Sequence, residues 1–192
     1  MKTLRRAVAA LLLLAAIVVG VVYSGLYNVA ADQPDSPLTR WLLHSTMERS
    51  VEVRAAAIGV PKNLNDPLRI NAGAEHYAEM CVGCHLAPGV ETSELREGLN
   101  PRPPKLAEVA AGMGSKELFW IIKHGVRMTA MPAWGLSHGD QNLWDLVAFI
   151  RHLPTMTPAR YQELTARPGH SPEHPPGPAP EAPPAHGHGR IP

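Results

Sequence analysis

The sequence predicts an all-α fold, and three observations support this prediction. Apolar residues recur at helical spacing in several separate stretches, whereas few stretches alternate in the way that β-strands do. Pairs of a capping residue and a proline, typical of helix starts, stand at Ser36-Pro37 and Asp66-Pro67. The connecting stretch from Leu86 to Gly114 contains several prolines, which favour loops. We therefore expect a small helical domain with long loops.

The length of 192 residues is that of one domain with appendages. The formal net charge of +1 gives no basic field of the kind that binds nucleic acid, so we expect no nucleic-acid partner. Composition and patterning predict four segments: basic residues with an apolar anchor or signal peptide at 1–31, a linker and amphipathic helix at 32–65, a compact domain at 66–154, and a short helix with a disordered tail at 155–192.

The N-terminal stretch 7–31 carries no charge and is long enough to cross a bilayer. The basic residues that precede it, which the positive-inside rule places in the cytoplasm, are Lys2, Arg5 and Arg6. A cleaved signal peptide ending near Ala30-Ala31 is the alternative. We favour an uncleaved anchor because the apolar run exceeds a usual signal core, and Tyr23 and Tyr27 suit a membrane interface. Either interpretation exports the rest of the chain.

The next segment predicts an amphipathic helix over 38–58, stopped by Gly59 and Pro61. Its apolar stripe consists of Leu43, Met47, Val51, Ala55 and Ile58. Such a stripe has to be covered, either by the compact domain or by a membrane partner. We expect the compact domain to cover it.

The compact domain at 66–154 is expected to contain two long helices and one short one. Gly73 lies inside the first long helix, where it costs up to ~1 kcal/mol relative to Ala, and therefore predicts close approach of a second helix. That second helix is predicted to begin at the capping box Ser137-His138-Gly139-Asp140. The short helix is predicted over 115–124, with Gly125 as its stop.

The two cysteines of the chain stand in Cys81-Val82-Gly83-Cys84-His85, the attachment motif of c-type haem. Thiols one helical turn apart can add to the two vinyl groups on one edge of a porphyrin. The next residue then lies under the ring, where its imidazole can bind iron. We therefore expect one haem c, covalently attached through Cys81 and Cys84, with His85 as an iron ligand.

Three other interpretations of the cysteine pair are weaker. A zinc site normally has four protein ligands, and the sequence has no second Cys or His pair at the usual spacing. A thioredoxin-like dithiol follows a strand, whereas the residues before Cys81 predict helix. A structural disulfide between cysteines this close would constrain very little of the chain.

A second axial ligand decides between an open iron site and an electron carrier. Met131 lies in a loop between two predicted helices, and Pro132 holds its backbone extended. A thioether presented in this way can reach the open face of a haem. Met131 is therefore the expected ligand, with Met128 as the next candidate.

These segments together resemble class I mono-haem cytochromes c, above all membrane-anchored bacterial c-type cytochromes and the haem-c domains of cbb-type oxidase third subunits. Over about residues 66–154, the likeness is carried by Cys81–His85, by Gly125-Val126-Arg127-Met128-Thr129-Ala130-Met131-Pro132-Ala133-Trp134, and by Leu143-Trp144-Asp145-Leu146-Val147-Ala148-Phe149-Ile150. The resemblance implies thioether bonds at Cys81 and Cys84, and axial ligation by His85 and Met131.

In that family a proline carbonyl often accepts a hydrogen bond from the ligand histidine. Here Pro101, Pro103 and Pro104 are all candidates. Candidates for the haem edge or a propionate contact, each equally explained by packing or solvation, are Trp120, Trp134 and Arg102.

The resemblance implies a one-electron carrier rather than an enzyme, tethered to a bacterial cytoplasmic membrane with the haem domain in the periplasm or on the outer face. Its expected partners are membrane or periplasmic redox proteins as donor and acceptor, and the membrane itself. One alternative is a haem-c subunit that passes electrons into a membrane oxidase or dehydrogenase complex. Another is an open-site sensor or peroxidase. A further hypothesis assigns metal binding to the tail histidines His170, His174, His186 and His188.

Overall fold

A computed structural model describes residues 1–166, which form nine α-helices and no β-strand. The helices are α1 Lys2–Tyr23, α2 Pro37–Ala55, α3 Pro67–Met80, α4 Val82–His85, α5 Glu94–Glu97, α6 Leu106–Val109, α7 Ser115–His124, α8 Asp140–His152 and α9 Pro158–Thr165. The all-α prediction is confirmed. The tail predictions, disorder from Arg167 and metal binding by its histidines, lie outside the described residues.

The chain divides into two compact units, Met1–Ser36 and the part from Pro37 onward. The first unit consists of α1 and a linker. A window of this 22-residue helix has a mean hydropathy of 2.4, so by length and composition α1 could cross a membrane, although a signal sequence would pass the same test. The helix ends at Tyr23, well before Ala31, because Gly25 adopts a left-handed φ of +68°. The uncharged stretch is thus a helix followed by a turn.

In the second unit, α2 begins at the predicted Pro37 and packs against α7. Only its C-terminal half is covered: Val51 and Ala55 are buried, whereas the side chain of Leu43 is 55% exposed. The Lys116 amine of α7 donates a 3.1 Å hydrogen bond to the carbonyl of Ala56, just beyond the helix. The compact domain therefore covers the predicted stripe from Met47 onward and leaves Leu43 exposed.

The most extensive helix packing in the second unit is between α3 and α8, which cross each other. Asp66 caps α3 as predicted, since its carboxylate accepts a 2.9 Å hydrogen bond from the amide of Leu68. A Cβ atom built on Gly73 would overlap the carbonyl oxygen of Asp145 and lie 2.8 Å from Cβ of Phe149. The prediction of close packing at Gly73 is confirmed, because only glycine permits this approach.

The start of α8 corrects one prediction. The helix begins at Asp140 with Gly139 as its N-cap, and no side chain caps it. The predicted capping box fails because Trp134–Leu136 form a 3₁₀ turn, and the hydroxyl of Ser137 lies 3.4 Å from the Trp134 carbonyl and 2.9 Å from Nδ1 of His138. Ser137 therefore completes this turn instead of starting the helix.

The core lies between α3, α7, α8 and α9. Phe119 of α7 stacks on Trp144 of α8 at 4.2 Å between ring centroids. The short helix α9, predicted from residues 158–166, buries Tyr161 and Leu164 and packs against α3. The region between α4 and α7 contributes Leu106 and Ala110 to this core.

Candidate haem site

The cysteine motif forms a tight turn directly after α3. Cys81 ends α3 with a φ of −111°, and the amide of His85 donates a 2.8 Å hydrogen bond to the carbonyl of Cys81. Cys84 therefore lies one turn beyond Cys81, as thioether attachment to one porphyrin edge would need. The two cysteines form no disulfide; Cys81 is buried and Cys84 is half-buried. Burial, with a smaller contribution from Cys84, raises the pKa of the Cys81 thiol to about 12.

The turn is closed by a side chain from the last turn of α3. The Tyr77 hydroxyl, completely buried, donates a 2.7 Å hydrogen bond to the carbonyl of Leu86. Leu86 has a left-handed φ of +64°, which reverses the chain immediately after His85. Tyr77 itself packs against the rings of Phe149 and Tyr161, at 5.2 and 6.3 Å between centroids. Sequence periodicity places Tyr77 in the core but gives no sign of this hydroxyl bond.

The imidazole of His85 is fixed by a proline carbonyl from the following loop. Its Nδ1 lies 2.9 Å from the carbonyl oxygen of Pro104. Because a carbonyl can only accept, Nδ1 carries the proton and Nε2 keeps its lone pair for a metal. Of the three candidate prolines the structure selects Pro104, while the carbonyl of Pro103 accepts a 3.1 Å hydrogen bond from Nε of Arg96.

The charge state of His85 also suits metal binding. Burial lowers the pKa of His85; the bond to Pro104 opposes this effect, and the positive charge of Arg96 adds to it. The ring is therefore kept neutral, the form in which histidine binds metal ions. No sequence motif identified Arg96 as part of this site. Its side chain is 12% exposed and lies beside the Pro101–Pro104 loop.

The loop that carries Met131 folds back on the end of α7. Gly125 has a left-handed φ of +65°, and a Cβ atom there would lie 2.7 Å from the carbonyl oxygen of Met131. The Met131 amide donates a 3.1 Å hydrogen bond to the hydroxyl of Thr129, which donates in turn to the carbonyl of Val126 at 2.7 Å. The backbone of Met131 is thus held from two sides. The role of Thr129 could not be predicted from the sequence, because it belongs to no recognisable local motif.

The two candidate methionines differ in exposure. The side chain of Met128 is 87% exposed, on a residue with a φ of +60°. Met131 is half-buried and packs against the core. Met80, Met113 and Met156 pack there as well, so burial alone does not single out Met131. The geometry favours Met131 over Met128 through its ordered, inward-facing loop.

These residues fit a c-type haem. They provide two thiols on one turn for thioether bonds, a neutral imidazole nitrogen, and a thioether on an ordered loop. The other interpretations find no support among residues 1–166. No three His, Cys, Asp or Glu side chains there converge on a metal position, the cysteines form no disulfide, and helix rather than strand precedes them.

The three remaining candidates lie in ordinary surroundings. Trp120 packs on His124 at 4.9 Å between ring centroids, and Trp134 on His138 at 5.5 Å. Arg102 forms an ion pair of 2.7 Å with Glu97, and its side chain is 53% exposed.

A helical fold with this motif, this proline-fixed imidazole and this methionine loop defines a c-type cytochrome domain. Residues 69–150 match the family model described as cytochrome C oxidase, cbb3-type, subunit III. The matched segment begins in α3, ends in α8, and includes Cys81, Cys84, His85 and Met131. No curated protein and no solved structure matches the chain. Residues 69–150 are therefore similar to the cytochrome c domain of that oxidase subunit.

Proposed function

We propose that this chain is a one-electron carrier, with one haem c held covalently by Cys81 and Cys84 and ligated by His85 and Met131. The observation that carries the proposal is the turn of Cys81, Cys84 and His85, with Nδ1 of His85 bonded to the Pro104 carbonyl. A neutral imidazole oriented in this way is ready to bind iron through Nε2.

The bound haem would supply reversible one-electron chemistry at its iron. The protein residues supply position and burial. Pro104 holds the proton of Nδ1 and sets the direction of the His85 ring, while Thr129 holds the backbone of Met131. If His85 and Met131 both held the haem iron, substrates and gases would have no free coordination site, which favours electron transfer over catalysis.

We further propose that α1 is an uncleaved anchor, with its basic residues in the cytoplasm and the haem domain on the outer face of the membrane. The length and apolar composition of α1 support a membrane span. The test is the N-terminal sequence of the mature protein in the membrane fraction. An intact N-terminus supports the anchor, whereas a start near Asp32 would mean a cleaved signal peptide and leave only the exported location.

A second candidate function follows from the family match, since the matched family is an oxidase subunit. The chain would then pass electrons within a stable complex. Stoichiometric co-purification of a membrane oxidase or dehydrogenase after mild solubilisation supports this candidate, whereas isolation of the chain alone supports a free carrier.

The central test is the optical spectrum of the full haem-loaded protein. We expect Met131→Ala to lose the far-red thioether–iron band and to bind carbon monoxide readily, while the wild type does neither. The matched control is Met128→Ala, which removes an exposed methionine of the same loop and should leave both properties unchanged. If Met131→Ala kept the wild-type spectrum, another ligand would have to be sought. If the wild type were high-spin, the sensor or peroxidase alternative would be favoured.

A further inference from the structure

The first two turns of α2 carry an apolar surface that the second unit leaves uncovered. Leu38, Trp41 and Leu42 are 71%, 64% and 55% exposed. Their spacing of i, i+3 and i+4 places them on one face of the helix. We call these three residues the α2 patch. Three large apolar side chains on one exposed face are more than scattered surface residues.

The α2 patch is not an extension of the face that packs on the haem domain. The covered residues of α2 are Met47, Val51 and Ala55, one turn apart from each other. At 100° per residue, the patch points about 130° away from this covered stripe. The α2 patch therefore lies on a different side of the helix from the stripe that the domain covers.

We propose that the α2 patch lies in the lipid headgroup region of the membrane that α1 crosses; this inference rests on the anchor proposed above. Only the residues between Tyr23 and Pro37 separate the two helices. A linker of this length reaches at most about 45 Å when fully extended. The covalent connection therefore tethers the start of α2 within this reach of the membrane.

The chemistry of the patch suits a lipid surface. Tryptophan favours the membrane–water interface because its ring is apolar and its indole N–H needs a polar partner. From Pro37 to Met47 the helix contains Arg40 and no acidic residue, and the first carboxylate of α2 is Glu48. This part of the helix therefore brings no carboxylate toward the headgroups, whereas the charged residues further along, among them the Arg49–Glu52 ion pair, belong in water.

A second copy of this chain is the competing occupant. A stable interface buries about 800 Å² per partner, and three side chains supply only part of that area. A bilayer needs no matching shape, so a small patch beside an anchor is enough. The observations therefore favour lipid over self-association.

The test uses the full haem-loaded chain in vesicles of phosphatidylcholine and phosphatidylglycerol in equal amounts. Nitroxide labels are attached to the single variants Leu38→Cys and Leu42→Cys, to Glu48→Cys as a control on the same helix, and to Leu13→Cys as a control inside α1. The measurement is the accessibility of each label to oxygen relative to a water-soluble nickel chelate. We expect this ratio to be several-fold higher at positions 38 and 42 than at position 48.

Two results would overturn the inference while leaving the anchor intact. In the first, the label at position 13 is immersed but those at 38 and 42 match position 48. In the second, those at 38 and 42 are shielded from both reagents, and the shielding increases with the ratio of protein to lipid, as expected for a second copy. If the label at position 13 is also in water, the proposed anchor fails, and this inference fails with it.

Discussion

The hydroxyl of Tyr77 donates a 2.7 Å hydrogen bond to the carbonyl of Leu86, across the turn that contains Cys84 and His85. Both residues are buried, at 0% and 3% exposure. The bond satisfies a carbonyl in a left-handed chain reversal that water does not reach. The cysteine turn is thus tied back to the helix that precedes it.

Removing this hydroxyl should destabilise the protein. We expect Tyr77→Phe to lower the free energy of unfolding by about 1–3 kcal/mol, because the Leu86 carbonyl is left buried without this donor. Denaturant unfolding of the haem-loaded protein measures the loss. The control is Tyr161→Phe, a buried ring of the same aromatic cluster that does not serve Leu86. Equal losses in both variants would mean that the Leu86 bond contributes nothing specific.

The helix crossing at Gly73 predicts a second effect. We expect Gly73→Ala to destabilise the fold by at least about 1–3 kcal/mol, because its Cβ would overlap the backbone of Asp145 and crowd Phe149. The midpoint of denaturant unfolding reports this change. In Gly112→Ala the new Cβ meets nothing within 4 Å, so that variant should stay within about 0.5 kcal/mol of wild type. A tolerated alanine at position 73 would contradict the close approach of α3 and α8.

The loop that carries Met131 depends on Gly125. We expect Gly125→Ala to weaken methionine ligation, because alanine disfavours a φ of +65° and its Cβ would collide with the Met131 carbonyl. The measurement is the far-red band of the oxidised protein, together with carbon monoxide binding by the reduced protein. Gly139→Ala, where a Cβ meets nothing within 4 Å, is the control and should keep both properties. A normal spectrum in Gly125→Ala would show that the loop tolerates the change.

The stability of the domain should fall on acidification through His76. Burial lowers the pKa of His76 below its ordinary value of 6.5; the charge of His138 acts in the same direction, and nearby carboxylates, Glu79 first, oppose it. As the pH falls through 6.5 the unfolded chain takes up a proton that the folded chain refuses, so stability decreases until the folded pKa is reached.

The measurement for His76 is the free energy of unfolding from pH 7.5 down to about pH 5. We expect His76→Gln to flatten this profile. An identical slope in wild type and His76→Gln would show that His76 does not cause the acid sensitivity.

Local sequence signals predicted the structure correctly where a residue type at that position has only one structural explanation. Asp66 before a proline predicted the cap of α3, and Gly125 predicted the end of α7. The glycine at position 73 predicted a helix contact because no other use explains its cost inside a helix. In each case the deciding interaction lies within a few residues or follows from the absence of a side chain.

Elsewhere the deciding contacts join residues distant in sequence. The choice of Pro104 over its neighbours depends on how the loop after His85 closes, nineteen residues along. Ser137 looked like a helix cap, but the 3₁₀ turn before it competes for its hydroxyl. The stripe on α2 was expected to be covered throughout, yet α7 is too short to reach its first turns. Ligation by Met131 and the anchoring role of α1 stay predictions.

The missing side chain at position 73 affects how precisely α3 positions the cysteine motif at its C-terminal end. Gly73 and Cys81 are about 12 Å apart along α3, at 1.5 Å per residue. The contact of Gly73 with the backbone of Asp145 sets the angle at which α3 crosses α8. If α3 tilted at Gly73, the cysteine sulfur atoms two turns away would move sideways in proportion to the tilt. The position of the cysteine turn therefore depends on Gly73, a residue that does not contact it.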